Sequence, residues 1–416
     1  MSNSDVIILG GGAIGLSSAY YLNQSGYSVT VLEGGSKIRE SICSWGNSGM
    51  IVPSHIVPLA APGVIKQGLK WLFDSASPFS IELKLNPEMI SWLWKFRKAA
   101  NHSHVISGAK LLQQLGIKSR SLFFQLEEKM NIGLQTKGIL MLCNSEKGLK
   151  EEFEVSKMAR DLGMIANDLD IVGVQKLEKN MKTNILGGVH YPLDCHIDPI
   201  NFINLMQDYL SKMGVKIYYN KPVNEFITNK KKIESVKTNN KIWSAENFIL
   251  SAGSFSSKLV NNIGLKMPLM SGKGYSYTIK SPNQTPYLPA ILTEARIAST
   301  PMGPDWRFGG TMTITDSNRS INQKKLFAMT KLIKDYYPEY ELSWVEGLDP
   351  WVGLRPLSAD GIPYIGRFEK YPNLIAATGH AMMGVSLAPV TGEIVNDIIS
   401  DKKINYDLSM LSPDRF

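Results

Sequence analysis

The sequence predicts an α/β protein, a doubly wound, Rossmann-like sheet joined to a second, α+β domain. Three observations carry that expectation. The chain opens with "DVIILGGGAIGLSSAYYLNQSGYSVTVLE" from Asp5 to Glu33: an apolar run, a glycine-rich turn, an amphipathic segment of helix length and a second apolar run. Much later, the short apolar runs in "NFILSAG" and "LIAATGH" end in small residues, as buried strands of a parallel sheet do. Between these, residues 268–348 alternate β-type patterns such as "GYSYTIK" and "RFGGTMTIT" with one helical segment near Lys324 to Tyr336, which suits a separate mixed sheet.

The opening unit is a βαβ motif with a phosphate-binding turn. Gly10, Gly12 and Gly15 match G-x-G-x-x-G: the first permits the sharp turn, the second a close approach of backbone to pyrophosphate, and the third tight packing of helix on strand. The helix starts near Ala13 and Ile14, where free N–H groups and the positive end of the dipole converge on an anion. Glu33 closes the second strand and can accept hydrogen bonds from ribose hydroxyls, and an acid there argues against a 2′-phosphate. FAD and NAD both remain open on these residues alone.

Composition limits the alternatives. The chain has 416 residues, 44% hydrophobic and 20% charged, enough for two domains with a sizeable core. Its 45 Lys+Arg against 37 Asp+Glu give a net charge of +8, which favours anionic surroundings such as phosphates, carboxylate substrates or an acidic membrane face. No nucleic-acid-binding motif is present; Lys230 to Lys232, the one short basic run, reads as a hairpin loop. Cys43, Cys143 and Cys195 are odd in number and include no C-x-x-C pair, so metal and disulfide roles are not expected. "MSNS" runs straight into the first strand without a signal-peptide pattern, and no apolar run approaches the length of a membrane span. The expected compartment is the cytoplasm, with peripheral contact on the inner face of a membrane left open.

The remaining segments supply the rest of the architecture. After Glu33 a long irregular stretch offers Ser41, Ser44, Asn47, Ser48, Gly49 and Met50; irregular segments of this length inside a domain usually serve function. The pattern turns helical from about Lys66 to Lys137. "PEMISWLWKFRKAA" gathers Met89, Trp92, Leu93 and Phe96 on one face, beside Lys95, Arg97 and Lys98, the pattern of a buried amphipathic helix or of a basic one lying on a membrane. A second helix is expected over Ile106 to Met130, a strand over Gly138 to Cys143 and a third helix over Glu146 to Leu162. Asp198 followed by Pro199 starts a helix that ends at Gly214 and feeds a strand, Val215 to Tyr219, expected to rejoin the first sheet. Near the C-terminus come a strand at Leu374 to Ala377, a glycine turn and a helix from about Val385 to Ser400.

With these motifs in place, the whole chain resembles the D-amino acid oxidase superfamily of FAD-dependent amine oxidoreductases, in particular its D-amino acid dehydrogenase branch. The resemblance rests on "GGGAIGLSSAYYL" with Glu33, "SWGNSGMIVPS" with "PLAAPGV", and "GLRPLSADGIPYIG" with "GHAMMGVSLAPVTG". It implies a discontinuous FAD domain, residues 1–75, 190–262 and 350–416, and a substrate domain, residues 76–189 and 263–349, whose sheet covers the flavin. It also implies non-covalent FAD, with Val223 meeting adenine by its backbone, Ala252 and Gly253 lining the cofactor, and Gly379, His380, Met382, Met383 and Gly384 approaching the ring. Arg355 in "GLRP" matches the arginine that related glycine and amine oxidases use for the substrate carboxylate, and a guanidinium suits that task because it forks onto both oxygens.

His55, His380, Tyr275 and Tyr277 are expected as polar wall residues, and the catalytic set is Arg355, Tyr275, His380 and His55. Two departures stand out: "GGTMTIT" lacks a glutamate that relatives often carry after "GGT", and Met382 and Met383 replace polar or cationic residues of some relatives. The resemblance implies hydride transfer from an amino acid α-carbon to flavin, with a quinone or another electron acceptor completing the cycle. D-proline and its 4-hydroxy derivative, glycine- or sarcosine-type oxidation with oxygen, a non-catalytic FAD-binding subunit and a nucleic-acid-directed flavoprotein are the alternatives.

Overall fold

The computed structural model describes residues 4–37, 42–62, 79–82, 86–316, 318–341, 343 and 346–416. Ser41 and the stretch from Lys66 to residue 78 lie outside them.

Two large sheets organise the described residues. The first has a parallel core in the order Leu374–Thr378, Lys241–Leu250, Ser4–Leu9, Val29–Leu32, Lys216–Tyr218. The earliest strand is thus central, with the next two on one side and the later two on the other, the doubly wound arrangement with its switch point beside the first strand. Lys241–Leu250 continues into an antiparallel ribbon with Lys232–Thr238 and Val223–Asn229. Lys230 sits in its tight turn at φ 51, as the hairpin reading expects, and Lys216–Tyr218 rejoins the first sheet as expected.

Helices Ala13–Gln24, His102–Met130, Pro199–Lys212 and Ala388–Ile399 contribute to one apolar core with Val6, Ile8 and Val31, through residues such as Leu16, Leu115, Phe123, Phe202 and Ile394. The first and last of these helices touch so closely that a Cβ on Gly392 would lie 2.6 Å from the Ser17 backbone. Local chemistry sets the helix starts. The Asn101 side chain accepts from the His104 N–H, beginning the long helix four residues before the expected Ile106, and Asp198 caps Pro199–Lys212.

The second sheet runs in the order Trp351–Ser358, Leu269–Ile279, Asp305–Thr315, Ile297–Met302, Ala290–Leu292, Ile139–Cys143, Gly187–Tyr191, Asn167–Asp170, with Phe79–Ile81 also pairing with Asp305–Thr315. Its core is aromatic: Trp306, Phe308, Tyr336, Tyr337 and Tyr340 are all but fully buried. Pro87–Ala99 buries Met89, Trp92 and Phe96, while Trp94 remains 62% exposed. Arg307, buried on the second sheet, donates to the carbonyl of Asn47 at 3.0 Å and to the Thr278 hydroxyl at 3.0 Å. It thereby ties the irregular segment after the first βαβ unit to the second sheet.

Candidate active site

A cavity of about 1560 Å³ runs from the carboxyl ends of the central parallel strands to the second sheet. Ordinary small-molecule pockets occupy roughly 300–1,000 Å³, so there is room for an extended cofactor and a second molecule. At one end Gly10, Gly12, Ala13, Ile14, Glu33, Val223, Ala252 and Gly253 form the wall. Gly10 has φ 111, and a Cβ there would lie 2.5 Å from the Ser251 carbonyl oxygen. Gly15 lies behind the wall, where a Cβ would meet the Gly10 carbonyl oxygen at 2.0 Å. Only glycine combines that backbone with that proximity.

The helix Ala13–Gln24 has no side-chain cap at Gly12, and Ala13 N–H donates to the Ser44 hydroxyl at 3.2 Å. Its first turn faces the cavity with N–H groups that suit a pyrophosphate. Glu33 is fixed from both sides: Gly11 N–H donates to Oε2 at 2.6 Å and Gly35 N–H to Oε1 at 2.6 Å. Each oxygen retains acceptor capacity for a ribose hydroxyl. Gly11 belongs to the same cradle, although G-x-G-x-x-G assigns it no role.

The middle of the cavity is walled by Ser44, Asn47, Ser48, Met50, His55, His380, Met382, Met383 and Gly384. Gly49 and Gly379 are not on the wall. They shape it from behind, at φ 70 and 80, where a Cβ would lie 1.9 Å from the Ile197 carbonyl oxygen and 2.8 Å from the Tyr364 ring. His380 bonds Thr391 Oγ1 through Nε2 at 2.9 Å, and its Nδ1 has no partner among the described residues. Burial pushes His380 down to about 3 and His55 down to about 4. Both imidazoles are therefore neutral at physiological pH and present polar atoms without charge.

Two expected wall residues are corrected. Tyr275 is off the cavity: it is 1% exposed, and its hydroxyl accepts from the Asn322 N–H at 3.0 Å. Strand alternation turns it towards the helix Gln323–Tyr336. Tyr277 likewise belongs to the aromatic core, its hydroxyl bonded to that of Tyr340 at 3.0 Å.

The far end of the cavity carries Arg355, Trp351, Arg319 and Cys43. Among the described residues no carboxylate pairs with Arg355; its hydrogen bond runs from Nη1 to the Thr311 carbonyl oxygen at 2.9 Å. Partial burial of this half-buried guanidinium pushes its pKa down. Burial likewise pushes the Cys43 thiol up, against the pull of Arg355 and Arg319, whose charges both act on it. Trp351 and Arg319 were not legible as site residues, because neither belongs to a motif and tertiary folding alone brings them here. A side arm of the cavity contains Glu152, which accepts from the Tyr191 hydroxyl at 3.3 Å and is pushed up to about 7 by burial.

The FAD dependent oxidoreductase family model matches residues 5–398. The chain belongs to that family. A D-amino acid dehydrogenase of Helicobacter pylori is 28% identical over 412 residues, covering 98% of both chains. Among solved structures, glycine oxidase from Geobacillus kaustophilus superposes with a TM-score of 0.78 at 20% identity, covering 100% of both chains. L-proline dehydrogenase from P. horikoshii superposes with a TM-score of 0.73 at 16% identity, covering 100% of this chain and 98% of that one. These two likenesses establish the fold. The protein is an FAD-dependent oxidoreductase, and the glycine cradle, the uncapped helix N-terminus and the acid at Glu33 fit its cofactor.

Proposed function

We propose that the protein is a D-amino acid dehydrogenase in which Arg355 binds the substrate carboxylate. The observation that carries this reading is a guanidinium on the cavity wall with no acidic partner among the described residues. A half-buried guanidinium facing the cavity without an acidic partner is poised for an anion, and an α-carboxylate supplies that partner with two parallel charge-assisted bonds. Bound FAD supplies the two-electron acceptor for the α-hydrogen, transferred as hydride. The substrate amine enters neutral, and the resulting imine is hydrolysed to a 2-oxo acid. The work of this chain is positioning: Arg355 holds one end of the substrate, the neutral His55 and His380 offer polar contacts, and Met382 and Met383 form an adaptable apolar wall.

That wall favours a compact ring, so D-proline or its 4-hydroxy derivative is the preferred substrate, giving a cyclic imine. The relative's name, D-amino acid dehydrogenase, supports D-stereochemistry and a dehydrogenase rather than an oxidase, and we propose a quinone as the acceptor. We assign the first sheet with the helices Ala13–Gln24, Pro199–Lys212 and Ala388–Ile399 to a cofactor domain, residues 1–75, 190–262 and 350–416, and the remainder to a substrate domain, whose helix His102–Met130 packs into the same core. The strand Trp351–Ser358 then reaches across to pair within the second sheet, which carries Arg355 over the substrate. In anaerobic stopped-flow mixing, the flavin band should bleach faster with D- than with L-amino acids, and the reduced enzyme should reoxidise faster with a quinone analogue than with oxygen. Faster bleaching by L-enantiomers removes the stereochemical assignment, and equal reoxidation by oxygen removes the dehydrogenase one.

Among the described residues no helix is long and apolar enough to cross a membrane. Peripheral contact is a separate part of the proposal. It rests on Ile90 and Trp94, 52% and 62% exposed on Pro87–Ala99, beside Arg97 and Lys98. This combination suits an anionic lipid surface, where each basic residue contributes about 1 kcal/mol. The protein should co-sediment with anionic vesicles at low salt, and Trp94→Glu should reduce the bound fraction several-fold at this level of interaction; equal pelleting of variant and wild type rules this contact out.

A further inference from the structure

The guanidinium of Arg355 crosses a neighbouring strand to reach its hydrogen-bond partner. Arg355 lies on Trp351–Ser358, the strand next to it is Leu269–Ile279, and Thr311 lies one strand further, on Asp305–Thr315. The crossing is at Gly274. A Cβ there would lie 1.9 Å from Nη1, 2.5 Å from Cζ and 2.5 Å from Nη2 of Arg355, so the whole fork rests against backbone that any other side chain would cover. Gly274 pairs with Gly353, where a Cβ would lie 1.9 Å from the Trp351 ring. Two paired glycines thus let Arg355 and Trp351 lie along the sheet.

The receiving carbonyl is also specially placed. The pairing of Leu269–Ile279 with Asp305–Thr315 slips between Lys273 and Tyr275, opposite Thr311. Thr311 has φ 59 and a buried hydroxyl with no partner among the described residues. A β-branched residue in the left-handed region is a strained outlier that occurs mainly where function needs the geometry. Here the bulge turns the Thr311 carbonyl towards Nη1. One of the five guanidinium N–H groups is thereby occupied, and the others remain available for a ligand.

We propose that Gly274 and Thr311 are positioning residues that fix the plane and reach of the Arg355 guanidinium and so set the affinity for carboxylates. This inference rests on the carboxylate-binding reading of Arg355. It is tested on the FAD-loaded enzyme with acetate and benzoate as non-reacting probes, followed by perturbation of the flavin spectrum.

Gly274→Ala should weaken both probes and raise KM by about tenfold or more, in the range of coupling between contacting residues. Flavin content and the limiting rate of flavin reduction at saturating substrate should stay within about threefold, a split between KM and kcat that general damage to the sheet would not produce. In an Arg355→Leu background, Gly274→Ala should add nothing, because no guanidinium is left to displace. Wild-type probe affinity in Gly274→Ala, or an equal loss in the Arg355→Leu background, overturns the positioning role of Gly274. Arg355→Leu with unchanged probe affinity instead overturns the underlying carboxylate reading. Thr311→Gly relieves the strained φ and loosens the carbonyl. It should hold or raise Tm while weakening the probes about threefold or more, and unchanged affinity overturns the role of Thr311. If Gly274→Ala does not fold, Thr311→Gly alone decides the proposal.

Discussion

Arg355→Leu is expected to abolish useful turnover of amino acids while FAD stays bound. Truncating one partner of a buried, hydrogen-bonded charge pair costs about 2–5 kcal/mol, and each 1.4 kcal/mol is about tenfold. Catalytic efficiency should therefore fall by roughly 30- to several thousand-fold. The loss should extend to simple carboxylates, because Arg355 has no carboxylate partner among the described residues and its observed bond is to the Thr311 carbonyl. Arg355→Lys should recover only part: an ammonium cannot fork onto two oxygens, and its shorter contact surface leaves the space over Gly274 unfilled. Steady-state kinetics with flavin content measured in parallel check both variants. Unchanged efficiency in Arg355→Leu would show that the carboxylate is held elsewhere, with Arg319, on the same cavity wall, as the next residue to replace.

Gly15→Ala should strip the enzyme of its cofactor. The added methyl would sit 2.0 Å from the Gly10 carbonyl oxygen and 2.9 Å from Ser251 Oγ. The first of these is backbone and the second is itself bonded to the Leu9 and Gly10 carbonyls, so the helix must move away from the strand. Overpacking of this kind costs about 1–3 kcal/mol, and it also displaces the N–H groups that face the pyrophosphate. FAD affinity should drop by roughly 5- to 150-fold, and purified protein should carry little flavin by its visible absorbance. Gly26→Ala is the control. It lies in the same βαβ unit at φ 90 with nothing within 4 Å of the added atom, so it should keep its flavin, while its Tm falls because alanine is strained at that φ. Full flavin content in Gly15→Ala would show that the helix can shift without cost to the site.

The sequence by itself determined the parts of this protein that depend on local chemistry. The βαβ unit was legible because Gly10, Gly12, Gly15 and Glu33 each answer a requirement within about thirty residues of chain, which the pyrophosphate fingerprint describes. The helix start at Asp198 could be read from a capping carboxylate and the proline that follows it. Arg355 was identified through a motif held in common with relatives, and the cavity wall is where the structure places it.

Tertiary structure alone decided what lies opposite what. The direction of Tyr275 depends on the register of Leu269–Ile279 against two neighbours, and a slip of one residue there reverses every side chain; the sequence shows only an alternating run. Trp351 reaches the cavity from just ahead of the "GLRP" motif on its strand, and Arg319 from a loop with no motif. Gly274 carries no signal of its own, since its purpose is to leave room for a guanidinium that arrives from a strand about eighty residues away in the chain. The neutrality of His55 and His380 follows from burial, a property of the assembled sheets that a single histidine in a sequence cannot announce.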